Sequence, residues 1–152
     1  YLQDEIIHYR QDNEASSVNS PSKVYCVCDE YAEMDKFLAN QPEKHYLKPV
    51  EEKMKYDTYM WNYDRLTEPL RRDFILQFAQ EFKKDIESGY VDLGLFDSWK
   101  RDDLTALMND PILFHARREA AGDEGYLRKT QKFYRIGGLS LLIRALKQKI
   151  KS

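Results

Sequence analysis

Cysteine is nearly absent from this sequence: Cys26 and Cys28 are the only two in 152 residues. That is too few to staple a small secreted scaffold. No apolar run approaches the roughly 20 residues that cross a bilayer, which excludes a membrane-spanning helix. No basic stretch followed by an apolar one reads as a signal peptide. The sequence opens on Tyr1 rather than Met and is expected to be a piece of something longer. It is also not the composition of a disordered chain. Mean hydropathy is low at −0.73 and a third of the residues are charged, yet 13% are aromatic, including 11 Tyr and 7 Phe. Aromatic content at that level supplies a core.

One sign of charge is missing from the C-terminal end. Residues 126–152 carry eight cations (Arg128, Lys129, Lys132, Arg135, Arg144, Lys147, Lys149 and Lys151) and no Asp or Glu. The other 125 residues hold 16 basic and 26 acidic side chains, a net of −10. An acidic body with a wholly basic end implies an anionic partner for that end.

The pattern along the chain is helical after an extended start. Residues 1–10 contain a short alternating stretch, Ile7-His8-Tyr9, that suits one strand, and 11–21 is polar loop. From Ser22, a plausible N-cap, Val24, Val27, Cys28, Tyr31, Met34 and Leu38 recur at three and four. Pro49 opens a second helix to about Leu66, with Val50, Met54, Tyr59, Trp61 and Tyr63 as its expected buried positions. The clearest element follows. Thr67 caps it, Pro69 stands in its first turn, and Leu70, Phe74, Phe78, Phe82 and Ile86 repeat every fourth residue, with Ile75 and Ala79 widening the stripe up to Gly89. Trp99, Leu104 and Leu107 mark a shorter helix, Pro111 starts another, and Gly122–Gly125 is a break. Gly137-Gly138 precedes a final amphipathic helix, Leu139–Lys151. The expectation is a mainly α fold: a small helical bundle preceded by one extended segment.

No self-contained active site is visible. His8, His45 and His115 are not spaced four apart and none neighbours a cysteine, so a metal site would have to be assembled by the fold, and none is assigned. Cys26-x-Cys28 diverges by about 200° on a helix, and Cys28 is expected in the core. The acid pairs Asp29-Glu30, Glu51-Glu52 and Asp102-Asp103 are expected on solvated faces. There is no Gly-rich phosphate loop, no G-x-S-x-G elbow and no H-E-x-x-H. One stretch, His8 to Val18, concentrates hydrogen-bonding groups where strand passes into loop. A fixed Arg10 there suits either a phosphate or sugar contact or an ordinary capped turn.

Tyr9-Arg10-Gln11-x-Asn13-x-x-Ser16-Ser17-Val18, followed by Lys23-Val24 and Cys28-Asp29-Glu30-Tyr31, resembles the end of the catalytic domain in bacterial family 2 glycosyltransferases of the cell-surface polysaccharide type. Trp61-Asn62-Tyr63, the Leu70–Gly89 helix with Phe74, Phe78, Glu81 and Phe82, Asp110-Pro111 and the Gly137-Gly138 ending are similar to the helical region appended to such enzymes. The resemblance implies a GT-A-like α/β catalytic domain before Tyr1, which would hold the Asp-x-Asp motif, a divalent metal (Mg or Mn) and the base; this chain has no catalytic residue of its own. In the complete enzyme a nucleotide sugar would give its sugar to a glycan acceptor. Tyr9, Arg10, Ser16 and Ser17 would border that substrate site.

The expected division is therefore residues 1–21 as the end of the catalytic domain, 22–125 as a helical domain and 126–152 as a basic amphipathic tail. Leu139, Leu142, Ile143, Leu146 and Ile150 share a narrow stripe, and Arg144, Lys147 and Lys151 lie across from it. Together they are read as membrane contacts on the cytoplasmic, inner face of an anionic membrane. Packing of the stripe on the bundle is one alternative. Nucleic acid, which would satisfy the charge but not the stripe, is the weaker one. The rival for the whole chain is a stand-alone helical interaction or regulatory module without catalytic activity.

Overall fold

The computed structural model describes residues 23–121 and 125–151, and every regular element among them is helical. Six helices follow in order: α1 (Cys26–Ala39), α2 (Lys48–Arg65), α3 (Leu70–Glu87), α4 (Ser98–Asn109), α5 (Pro111–Glu119) and α6 (Tyr126–Lys151). Short 3-10 turns, Pro42–Leu47 and Leu93–Leu95, fill two connections. The strand and loop expected over residues 1–21 lie outside the described residues.

Local chemistry sets the boundaries. Pro49 and Pro111 occupy first turns, where a missing N–H costs no helical bond. Asp110 caps α5, its carboxylate accepting the Leu113 N–H at 3.0 Å. Past the end of α3, Gly89 takes φ 73°. Its N–H donates to the Ile86 carbonyl and the Tyr90 N–H to that of Asp85, a paired closure that favours glycine at the turn.

The core follows from the α3 ladder. Phe74, Ile75, Phe78 and Phe82 are fully buried and meet Tyr56 and Tyr59 of α2. Phe78 and Phe82 have ring centroids 4.9 Å apart, and Tyr56 stands edge-on to both, and to Phe96. Such edge contacts add about 0.5–1.5 kcal/mol each beyond burial. Val27, Cys28 and Tyr31 of α1, Leu104 and Leu107 of α4, and Phe114 of α5 join this cluster. A second, smaller one joins Leu113 and Ala116 of α5 to Leu141 of α6, with Phe133, Ile136 and Ala145 beside it.

The second helix departs from the expectation at three of its five named positions and meets it at Tyr59 and Tyr63. Val50, Met54 and Trp61 are exposed at 46%, 52% and 58%, whereas Lys48, Glu51, Glu52, Lys55 and Asn62 are buried together with Tyr56, Tyr59 and Tyr63. The three tyrosines carry the core-facing stripe, and the buried polar residues, all but Asn62 N-terminal to them, extend its face at i, i+3 and i+4. Trp99 and Ile86 also lie outside the core. No described helix is long and apolar enough to cross a membrane.

Candidate functional site

Three constellations concentrate chemistry. The first grows from the buried face of α2. Lys48 Nζ contacts Asp35 of α1, lies 2.5 Å from Glu51 Oε2 and 2.7 Å from Glu52 Oε1, and sits over the Tyr90 ring. Two turns along, Lys55 Nζ lies 2.7 Å from Asp85 and 3.7 Å from Glu81 of α3. Tyr59 donates to Glu81 at 2.6 Å. Five carboxylates thus surround two ammonium groups. Burial works against the charge of both lysines, but their carboxylate partners outweigh it and hold them charged. The excess is borne by the acids. Glu52 is fully buried and its Oε2 finds no hydrogen-bond partner. Burial pushes its carboxyl up to about 7, against the pull of Lys48 and Lys55. A cleft of about 260 Å³, lined by Asp35, His45, Lys48, Asp85 and Tyr90, opens beside it. Of the three acid pairs expected in solvent, Asp29-Glu30 is exposed, Asp102 is exposed beside a half-buried Asp103, and Glu51-Glu52 is inside. Cys28 is buried, and burial pushes its thiol up to about 12, far from a nucleophile's range.

The second constellation centres on His115 of α5, which has no exposed surface. Its Nδ1 lies 2.7 Å from the Tyr63 hydroxyl and its Nε2 2.5 Å from Glu68 Oε1. Glu119 follows one turn later and pairs with Arg71. Arg118 reaches Asp64 at 2.9 Å and Asp103 at 3.4 Å, closing this end of the bundle.

The third is the surface of α6. Gly138, at φ 63° and ψ −159°, breaks the helix into two arms. A side chain at Gly137 would strike Leu141, its Cβ falling 2.7 Å from that residue's Cβ, so the close pass over Leu141 favours glycine there as well. Leu141 and Ala145 turn inward to Leu113 and Ala116. The stripe named from the sequence turns outward: Leu139, Ile143 and Leu146 are 64%, 44% and 52% exposed, and Leu142 is half-buried. Phe133, Leu142, Ala145 and Leu146 wall an apolar groove of about 520 Å³ between the arms, with Lys129 and Lys149 at its rim. Lys147 is exposed, and Arg144 donates to Asp110 at 2.7 Å. The side chains of Ile150 and Lys151 lie outside the described residues, as do Tyr9, Arg10, Ser16 and Ser17. Sequence periodicity found the stripe but passed over Leu141, whose position about 200° from Leu139 makes it the anchor.

No family model matches the chain, and neither curated proteins nor solved structures yield a match.

Proposed function

We propose that this chain is the helical C-terminal portion of a glycosyltransferase acting on cell-surface glycan, and that α6 seats it on the anionic cytoplasmic face of a membrane. The observation that carries the membrane reading is the division of labour on the second arm of α6. Leu141 and Ala145 dock on α5, so Leu139, Ile143 and Leu146 are left outside among cations, with no acid from residue 126 onward. Transfer of an exposed Leu or Ile to an apolar medium contributes about 1.5–3 kcal/mol when complete. Each cation near an anionic leaflet adds about 1 kcal/mol. Three such side chains and the cations of α6 suffice for reversible attachment. Nucleic acid would use the charge and leave the stripe in water. The glycosyltransferase reading is supported by the Tyr9–Val18 motif and its downstream matches. In it the catalytic domain lies upstream, supplies the nucleotide-sugar pocket and divalent metal, and is the chain's first partner.

Flotation of the full chain with phosphatidylserine-containing vesicles tests the attachment. The chain floats at low salt, floats less at high salt, and fails to float when Leu139, Ile143 and Leu146 are replaced by serine. These positions are exposed, so the triple variant keeps the fold. Flotation unchanged in that variant removes α6 from the reading. An upstream reading frame bearing Asp-x-Asp is the expected context, and an initiator codon directly before Tyr1 overturns the enzyme reading. The rival interaction module draws support from one observation, an exposed apolar cleft of about 460 Å³ walled by Met34, Phe37, Val50 and Met54.

A further inference from the structure

We propose that Glu68, His115 and Glu119 form a binding site for one divalent transition-metal ion, zinc by preference, where α2, α3 and α5 meet. His115 and Glu119 are four residues apart and share a face of α5. Glu68 comes from the turn just before α3. One ligand atom from each lies within 4.8 Å of the other two.

A second observation points to a cation. His115 Nε2 is buried and makes no aligned hydrogen bond, although Glu68 Oε1 is only 2.5 Å away. The other ring nitrogen is held by the Tyr63 hydroxyl at 2.7 Å, and the two rings stand edge to face. In the tautomer whose Nδ1–H donates to Tyr63, the Nε2 lone pair faces a carboxylate and the pair favours a cation between them; in the other, Tyr63 donates to Nδ1 and Nε2–H faces Glu68. A proton would satisfy that pair alone, whereas a metal also draws on Glu119, which Arg71 holds nearby, as its third donor. Arg71 pairs with Glu119 and donates to the Tyr63 and Asp64 carbonyls at 3.1 Å each, which helps fix that carboxylate's direction. Tyr63 and Arg71 are thus positioning residues, the outer partners that orient metal ligands elsewhere.

One imidazole nitrogen with two carboxylate oxygens suits zinc, and the exposed side of Glu68 leaves the fourth position to water. In a tetrahedral shell with bonds of about 2.1 Å, donors stand about 3.4 Å apart, so Glu68 moves outward by about 1 Å on loading. The other carboxylate group, Asp35 with Glu51 and Glu52, already encloses the Lys48 ammonium.

Calorimetric titration of the chelator-treated full chain with zinc chloride alone, at pH 7.5, is the test, repeated with cobalt chloride for its visible absorption. One zinc ion per chain binds saturably, and cobalt acquires the band of a protein-bound ion. Glu68→Gln and Glu119→Gln each lower affinity about tenfold or more, and Tyr63→Phe, which touches no metal, lowers it about 10–100-fold. Glu52→Gln leaves it unchanged. Glu68 lies outside the core, so Glu68→Gln keeps the fold, and the circular dichroism and urea midpoint of each metal-free variant are compared with those of the parent. Absence of saturable binding, affinity unaffected by Glu68→Gln and Glu119→Gln, or loss caused by Glu52→Gln overturns the proposal.

Discussion

Replacing Glu52 with glutamine isolates the energetics of the α2 cluster. The carboxyl is flanked on its own helix by Lys48, Glu51 and Lys55, faced by Asp35 from α1 and by Asp85 from α3, while Glu81 shares Lys55. Burial raises it from an ordinary 4.5 to about 7. Below about pH 4.5 native and unfolded chains both carry the proton, and well above 7 neither does. Between those limits the native chain binds a proton that the unfolded chain has released, so stability falls as pH rises through the window. A shift of about 2.5 units at about 1.4 kcal/mol per unit amounts to about 3 kcal/mol lost by pH 8. Glutamine has the shape of the protonated acid and cannot ionise. Glu52→Gln should therefore match the parent within about 1 kcal/mol at pH 5 and exceed it by about 2–3 kcal/mol at pH 8. Urea unfolding followed by circular dichroism at pH 5, 6, 7 and 8 measures the difference. Asp103, raised by burial, and His115, lowered by it, lie away from Glu52, titrate in both chains and cancel. A difference that stays flat with pH refutes the reasoning.

Two further substitutions probe the packing. Phe78→Ala empties the centre of the α3 ladder and should cost about 3–5 kcal/mol, read as a lowered urea midpoint; an unmoved midpoint contradicts the assigned face. Asp110→Ala removes the cap of α5 and the partner of Arg144 together, and the cap alone is worth about 0.5–2 kcal/mol. Asp110→Asn keeps the cap, so its melting temperature should lie between the alanine variant and the parent.

The helices that could be read from the sequence are those whose core face is built of carbon. Phe74, Phe78 and Phe82 announce α3 by spacing alone, and all three are fully buried. Hydropathy misleads on α2 because it assigns Lys and Glu to water residue by residue. Lys48, Lys55, Glu51 and Glu52 enter the interior as a set in which carboxylates and ammonium groups compensate one another, a property of no single position. The aliphatic residues of α2 were then free to face outward. The tyrosines at 56, 59 and 63 held the true period. The metal constellation joins residues up to 51 positions apart, and only the His115–Glu119 spacing is visible in one dimension. The α6 stripe was legible because it is local. What was not legible is which of its neighbours would be taken by α5.

The two arms of α6 clasp α5 at both ends. Arg144 holds the Asp110 carboxylate at the start of that helix, and Lys132 donates to the Glu119 carbonyl at its finish, 2.5 Å away. α5 spans nine residues, fewer than the 12–15 that an isolated helix needs to persist in water. Releasing α6 withdraws a contact from each terminus of α5 and uncovers Leu113 and Ala116 in the same event, leaving α5 held by Phe114 and by its polar contacts to α2, α3 and α4. In native-state hydrogen exchange the amides of α6 around Leu141 open at a lower free energy than the Phe ladder, and the terminal amides of α5 lose protection with them, while Phe114 keeps the middle of α5 tied to the ladder's cluster.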